Sequence, residues 1–210
     1  MTVQSIPLRK IQPKSGLSFL DSIESTWKGH EKFALWLVRR LRPKNIVDLG
    51  FDRGLSTIAF AYRNRGHVFA VDWISEGNYA EKTFALDSAF RNISYAISCC
   101  YAKNIHLIIG PFSDVSKNWK RKIDILHIDW AHSYEEAKKH YQNWSPHLQS
   151  RAVILMHDVI SCPEGAGRAF YELPFPKCVF PHASGLGVAS PDVVLLKEIE
   201  QVMMSGQFTS

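Results

Sequence analysis

The sequence predicts an α/β domain with a mostly parallel sheet and helices on both of its faces. Two observations carry this prediction: short apolar runs alternate with segments of helical periodicity, and turn residues separate them. Alternation of this kind favours parallel strands, because each strand must return to the same edge through a crossover helix. Parallel strands are buried on both faces, which explains near-continuous apolar runs such as Ile105-His106-Leu107-Ile108-Ile109.

The chain length suits one domain. The sequence has 210 residues, of which 46% are hydrophobic and 21% are charged, close to the values of ordinary globular proteins. Residues 1–18 mix Pro, Ser, Lys and Gln without clear periodicity, so we predict an irregular N-terminal arm there. A single domain is predicted over residues 19–210.

Helical periodicity begins early in the predicted domain. A short helical turn is expected around residues 19–24. A clearer helix is expected over residues 30–41, where Phe33, Trp36 and Leu37 would share one buried face. Pro43 ends this helix, because it has no N–H to donate to the helical ladder.

Five strands are then predicted from short, often β-branched runs, at residues 46–49, 68–71, 105–109, 123–128 and 153–156. Four helical segments separate them, at residues 56–63, 81–90 (with an extension to 102 left open), 112–119 and 134–144. Beyond residue 160, prolines and glycines break the chain into short pieces, and residues 193–196 are the last strand candidate. We expect this tail to close the edge of the sheet.

The first strand leads into a turn that contains glycine. Asp48 lies in the strand, Gly50 and Gly54 lie in the turn, and a helix is predicted from Ser56. Glycine lets a backbone approach a ligand closely, and a helix N-terminus presents unpaired N–H groups. The spacing matches neither the dinucleotide fingerprint nor a phosphate loop, so an ordinary strand–helix turn remains an alternative.

Polar residues also follow the second and third strands. Asp72 closes the second strand, where its carboxylate can accept hydrogen bonds from the hydroxyls of a ribose. Together with the first turn it favours a nucleoside ligand, although acidic residues at strand ends are also common for structural reasons. Ser113 follows the third strand and has two interpretations, contact with a bound base or capping of the next helix.

Carboxylate and imidazole groups follow the fourth and fifth strands. Asp129 and His132 come after the fourth, and His157 and Asp158 come at the end of the fifth. If these strands are parallel neighbours, the four side chains gather at one sheet edge, as a divalent metal or a general base requires. His132 could then be the base, with the other three as metal ligands. In the alternative, Asp129 caps the helix that begins near Ser133, and His132 is an ordinary loop residue.

Charge and cysteine content limit the partners and the compartment. The net charge of +5 mildly favours anionic partners, but the Lys and Arg residues are dispersed, which argues against nucleic acid. Four cysteines without a C-x-x-C pair suit neither a zinc site nor a disulfide framework. We see no signal-peptide pattern and no membrane-spanning run, so we expect a cytoplasmic protein with no membrane partner. The sequence leaves open whether the chain forms a homo-oligomer.

Taken together, these residues resemble a known family. The chain is similar to class I S-adenosylmethionine-dependent methyltransferases, in the group labelled methyltransferase domain 24, over residues 27–196. The matching segments are Trp27-Lys28-Gly29-His30, Val47-Asp48-Leu49-Gly50, Gly54-Leu55-Ser56, Val71-Asp72-Trp73, Leu126-His127-Ile128-Asp129, His132-Ser133-Tyr134, His157-Asp158 and Ser184-Gly185-Leu186-Gly187. The resemblance implies a Rossmann-like, seven-stranded sheet with an antiparallel C-terminal edge and S-adenosylmethionine over the carboxyl ends of its first strands.

The resemblance also implies roles for single residues. The residues expected to bind the cofactor are Asp48, Gly50, Gly54, Ser56, Asp72 and Ser113. The group is similar to metal-dependent sugar O-methyltransferases of macrolide biosynthesis. That similarity implies Mg²⁺ or another divalent metal on Asp129 and Asp158, with His132 as the catalytic base. His157 stands where those enzymes usually carry an acidic residue, and an imidazole ligand tilts a site toward softer metals.

The expected function is therefore S-adenosylmethionine-dependent methylation of a hydroxyl on a small molecule, such as a sugar or glycoside. The competing hypothesis is a nucleoside-binding or scaffold protein that keeps the fold without catalysis. Methylation of nucleic acid would rest on the basic charge alone, and the chain has no Asn-Pro-Pro-Tyr-like segment to hold a flipped base.

Overall fold

Seven strands form one sheet at the centre of the molecule. The computed structural model describes residues 15–73, 79–129 and 133–206. The strands are β1 (Asn45–Leu49), β2 (His67–Asp72), β3 (Ile105–Ile109), β4 (Ile123–Ile128), β5 (Leu148–His157), β6 (Lys177–Phe180) and β7 (Leu186–Ala189). Their order is β3-β2-β1-β4-β5-β7-β6. Strands β1 to β5 are parallel, and β7 runs antiparallel to both β5 and β6.

Helices cover both faces of the sheet. They are α1 (Gly16–Asp21), α2 (Glu31–Leu41), α3 (Leu55–Ala61), α4 (Tyr79–Ser98), α5 (Phe112–Lys117), α6 (Tyr134–Trp144), α7 (Arg168–Tyr171) and α8 (Val193–Met204). One apolar core contains side chains of α1 to α4 and α8, and a second contains side chains of α5 to α7. The predicted fold class, a mostly parallel sheet covered on both faces with an antiparallel C-terminal edge, is confirmed. In the part of the chain that the structure describes, no helix is long and apolar enough to cross a bilayer.

The tail differs from the prediction. Residues 193–196, predicted as a strand, form the first turn of α8, because Asp192 accepts a hydrogen bond from the N–H of Leu195 and caps that helix. The side chains of Leu195, Leu196 and Ile199 are buried at helical spacing. The last two strands are β6 and β7, which have four residues each and gave no strand pattern in the sequence.

The first helix also begins earlier in the chain than expected. Helix α1 begins at Gly16, inside the predicted arm, and Phe19 and Leu20 are buried against the core. Residues 1–14 lie outside the described residues, so the division into arm and domain stays a prediction.

The strand order creates a crevice at one edge of the sheet. Strand β1 lies between β2 and β4, and the helices that follow β1 and β4 pack on opposite faces. The loops after these two strands therefore diverge, which in open α/β sheets leaves the space where ligands bind.

Candidate active site

The turn between β1 and α3 has a left-handed backbone. Gly50, Asp52 and Gly54 have φ angles of 83°, 44° and 89°. Gly54 is the N-cap residue of α3, and a Cβ added there would lie 3.3 Å from the side chain of Ile93. The left-handed conformation favours glycine at this position, and a side chain there would also press on Ile93.

Backbone hydrogen bonds join this turn to its neighbours on both sides. The N–H of Gly50 donates to Val71 O (2.8 Å), and the N–H of Asp129 donates to Leu49 O (2.9 Å). The N–H of Asp52 donates to the Asp72 carboxylate (3.3 Å). The ends of β2, β1 and β4 thus form one connected edge, with Asp72 and Asp129 on either side of the turn.

Asp48 and Ser56 meet beneath the turn rather than on its surface. The Asp48 carboxylate is fully buried and accepts hydrogen bonds from Ser56 (2.8 Å), Thr57 (2.6 Å) and His127 (2.7 Å). The N–H of Trp27 Nε1 donates to Nε2 of His127 (3.0 Å), which assigns the proton of this imidazole to Nδ1. We call Asp48 and His127 the closed pair. Cofactor binding by Asp48 and Ser56 stays a prediction, and their hydrogen bonds favour support of the turn.

A second carboxylate–imidazole group lies at the ends of β4 and β5. His157 Nδ1 is 2.9 Å from Asp129 Oδ1 and 3.4 Å from Asp158 Oδ1. The three potential ligand atoms lie within 4.8 Å of one another. The His157 side chain is fully buried, whereas those of Asp129 and Asp158 are 13% and 17% exposed. We call these three residues the open cluster, and the structure brings together all three predicted metal ligands.

The His157 ring is held from its other side. Its Nε2 donates to the carbonyl oxygen of Ala183 (2.9 Å), so Nδ1 is the atom that faces the two carboxylates. Nδ1 is buried and makes no well-aligned hydrogen bond among the described residues. Burial alone would lower the pKa of His157, but Asp129 and Asp158 outweigh it and raise this pKa to about 10. The pocket therefore stabilises positive charge at Nδ1, as a proton or as a metal ion.

Ala183, which directly precedes the family-like segment Ser184-Gly185-Leu186-Gly187, was not itself predicted as part of the site. Ala183 and Ser184 have φ angles of 47° and 69°, a conformation that is uncommon for residues other than glycine. Ala183 O also faces Nε2 of His30 at 3.3 Å. His30 occupies the N-cap position of α2, but its side chain makes no capping bond and is buried instead. Burial lowers the pKa of His30 to about 3, with nearby His157 as the next cause.

His127 was not predicted as part of the site, although the sequence indicated it. His127 interrupts an otherwise apolar strand, and in the parallel register it lies opposite Asp48. Two polar residues facing each other across buried strands must satisfy one another, so the pair could have been predicted.

The remaining predicted residues separate into two groups. Ser113 is half-buried at the start of α5 and makes no capping bond to that helix, so its predicted contact with a base stays untested. His132 lies outside the described residues. The alternative in which Asp129 caps the next helix is wrong, because Ser133 is the N-cap of α6 and accepts from the N–H of Glu136.

Comparison with known sequences places this geometry in a family. A family profile described as a methyltransferase domain matches residues 47–159. The uncharacterized protein y4gI of Sinorhizobium fredii (strain NBRC 101917 / NGR234) is 32% identical over 189 residues. The match covers 84% of this chain and 20% of that protein, so the chain spans a fifth of the length of this relative.

Solved structures share the fold. The O-methyltransferase from Bacillus cereus, solved with SAH, is 18% identical with a TM-score of 0.62, and the match covers 87% of this chain and 93% of that one. The O-methyltransferase TomG from Streptomyces achromogenes, involved in tomaymycin synthesis and solved with SAM, is 14% identical with a TM-score of 0.58. That match covers 87% of this chain and 92% of TomG.

Proposed function

This chain belongs to the family of methyltransferase domains, and from that premise we propose that it transfers a methyl group from S-adenosylmethionine to a hydroxyl of a small molecule, such as a sugar or glycoside. The observation that carries the proposal is the connected edge, which joins a glycine turn and Asp72 to the open cluster through backbone hydrogen bonds. The two solved relatives named above are O-methyltransferases, which supports oxygen as the acceptor atom.

The cofactor side of the proposal uses the turn and Asp72. S-adenosylmethionine supplies an activated methyl group, so the task of the chain is to hold the donor and acceptor in line. The backbone of the Gly50–Gly54 turn can approach a ligand closely. The Asp72 carboxylate accepts from the N–H groups of Asp52 and Trp73 (3.3 and 2.8 Å), which fixes its orientation. A carboxylate at the end of this strand can accept hydrogen bonds from the hydroxyls of a ribose.

The open cluster fits a divalent metal. Two carboxylates and an imidazole whose distal N–H is held by a backbone carbonyl form a recognised donor set. When bound there, a divalent metal would lower the pKa of a nearby acceptor hydroxyl. Because one ligand is an imidazole, the site should prefer Mn²⁺, Fe²⁺, Co²⁺ or Zn²⁺ to Mg²⁺.

His132 is the proposed base. It follows Asp129 by three residues in the sequence, directly beyond the end of β4. An imidazole titrates near neutral pH, so it can take the proton of an acceptor hydroxyl. A cytoplasmic location is also proposed, because all four cysteines are free thiols, as a reducing compartment requires.

The test separates cofactor binding from turnover. Calorimetry should show that S-adenosylmethionine binds the wild-type chain and that His132→Ala binds it with nearly the same affinity. Turnover of a hydroxylated acceptor should fall by about 10²–10⁴-fold in that variant, because a general base contributes about this much. His67→Ala, on the opposite sheet edge, serves as the control and should keep full turnover.

Three outcomes count against the proposal. Normal turnover in His132→Ala would remove the base assignment. Absence of S-adenosylmethionine binding would remove the methyltransferase activity. Tight cofactor binding without turnover of any hydroxylated acceptor would favour the non-catalytic nucleoside-binding alternative.

A further inference from the structure

We propose that the opposite edge of the sheet carries a second binding site, for a ligand that bears several phosphate groups. A groove of about 810 Å³ lies between the end of α2, the loop from α3 to β2 and the segment before β4. Six exposed basic side chains line it: Arg39, Arg42, Lys44, Arg63, Arg65 and Arg121. The groove lies at the amino ends of β1 and β2, whereas the open cluster lies at the carboxyl ends of β4 and β5.

The fold gathers charges that are dispersed in the sequence. The six residues come from three segments, at residues 39–44, 63–65 and 121. Their neighbour Arg40 turns away from the groove and pairs with Glu198 (2.8 Å). The argument from dispersed charge against an anionic polymer therefore applies to the sequence but not to this surface.

The charges of the groove are not neutralised by the protein. None of the six side chains forms an ion pair with a carboxylate in the described ranges. Asp124 lies nearby, but its carboxylate accepts hydrogen bonds from the backbone N–H groups of Lys44 and Asn45 (both 2.8 Å). A concave surface with uncompensated charge of one sign concentrates counter-ions, and this one selects anions.

Two of the arginines occupy positions where the backbone favours glycine. Arg42 ends α2 with φ 48°, and its N–H donates to Val38 O (2.8 Å). Arg63 follows α3 with φ 55°. Left-handed backbone is unfavourable for a bulky residue and is the common place for glycine after a helix. Conformational strain of this kind tends to persist where the side chain has a functional role. For these two arginines, that role would be to supply positive charge to the groove.

The groove is held in shape by a close backbone contact. A Cβ on Gly66 would lie 2.1 Å from Pro43 O, so only glycine lets the two loops meet. The N–H of His67 donates to Lys44 O (2.8 Å) beside this contact. The loops that carry Arg63 and Lys44 are therefore fixed relative to each other before any ligand arrives.

The side chains indicate the chemistry of the ligand. Five of the six are arginines, whose planar guanidinium groups match phosphate oxygens in a forked geometry. Among the described lining residues there is no Phe, Tyr or Trp, which single-strand binding sites use to stack bases. Recognition would therefore be directed at phosphate groups, whether they belong to a nucleic-acid backbone or to a free polyphosphate.

The test uses the full chain and two phosphate probes, tripolyphosphate by calorimetry and a short single-stranded oligonucleotide by fluorescence anisotropy. The variant is Arg42→Gly/Arg63→Gly, in which glycine suits both backbone positions, so thermal unfolding should occur at or above the wild-type temperature. Binding should weaken by about tenfold or more, and the slope of log affinity against log salt should decrease by about one for each arginine removed. Arg40→Gln removes one positive charge outside the groove and should leave binding nearly unchanged.

Each outcome either supports or overturns the proposed phosphate site. Loss of binding in the glycine variant but not in Arg40→Gln supports the groove. Binding of tripolyphosphate then assigns free phosphate groups, and binding of the oligonucleotide alone assigns a nucleic-acid backbone. The proposal is overturned by no binding of either probe, or by an equal loss of binding in Arg40→Gln. Because none of these assays contains S-adenosylmethionine or a methyl acceptor, their failure leaves the proposed methyl transfer unaffected.

Discussion

Two carboxylate–imidazole groups lie close together in this sheet, and they differ in what remains unsatisfied. In the closed pair, Asp48 and His127 are 2.7 Å apart and fully buried, and every ring nitrogen and carboxylate oxygen has a partner in the protein. In the open cluster, Asp129 and His157 are 2.9 Å apart, but Nδ1 of His157 has no aligned hydrogen-bond partner among the described residues, and the carboxylates reach solvent.

The difference shows how similar residues acquire different roles. A buried polar group whose bonds are all made within the protein has no capacity left for a ligand and serves mainly to fix local structure. A polar group that lies at a crevice and still has a free donor or acceptor position can bind a ligand. By this criterion the closed pair supports the turn after β1, whereas the open cluster is the proposed site of chemistry.

The largest effect expected from this comparison is on stability. Asp48→Ala would leave the Nδ1–H of His127 and the hydroxyls of Ser56 and Thr57 without their acceptor in a dry interior. Breaking a buried pair by removing one partner costs about 3–5 kcal/mol. Urea unfolding at neutral pH should show this loss in the free energy of unfolding.

The corresponding change in the open cluster is the milder substitution Asp158→Asn. Asparagine tolerates the left-handed backbone of this position (φ 62°) and can still accept from Ser161. Asp129 still faces His157 in this variant, so the loss in metal-free protein should be about 1 kcal/mol, well below that of Asp48→Ala. Equal losses in the two variants would erase the distinction between a closed and an open group.

A third buried imidazole sharpens the comparison, because it has no carboxylate partner. Neither ring nitrogen of His140 has a hydrogen-bond partner among the described residues, and its ring packs against the Phe112 ring at 4.9 Å. Burial lowers the pKa of His140 to about 4, with smaller opposing effects of Glu136 and Lys139. The folded state therefore binds fewer protons than the unfolded state between pH 4 and about 6.5.

Stability should consequently decrease as the pH falls through that window. The titration of His140 alone should lower the free energy of unfolding by roughly 2 kcal/mol between about pH 8 and about pH 5. His140→Leu keeps an apolar contact with Phe112 and removes the titration, so urea unfolding of the variant should show a correspondingly smaller loss. The other titrating groups are common to both proteins. The same pH dependence in both would mean that His140 is protonated or solvated in the fold.

The fold was largely predictable because its strands and helices differ in period. The parallel strands appear as short apolar runs, and α6 (Tyr134–Trp144) was predicted with its observed ends. Strands β6 and β7 were not predictable, because each pairs at the antiparallel edge through only four residues among glycines and histidines.

The open cluster followed from residues at consecutive strand ends. Its Ala183 contact could not be predicted, because it depends on a long-range backbone loop with unusual φ angles.

The last predicted effect tests whether His157 Nδ1 is a ligand, and it rests on the proposed metal site. His157→Asp replaces the imidazole with a carboxylate and should move the preference from Mn²⁺ toward Mg²⁺. The expected change in the ratio of the two affinities is about tenfold, or about 1.4 kcal/mol. Competition calorimetry, with the electron paramagnetic resonance signal of free Mn²⁺ as a second readout, measures this ratio without any turnover.

His67→Asp makes the same substitution at the opposite edge and should leave the ratio unchanged. An unchanged ratio in His157→Asp, with metal still bound, would show that Asp129 and Asp158 hold the ion without the imidazole; the open cluster would then differ from the closed pair only in its carboxylates.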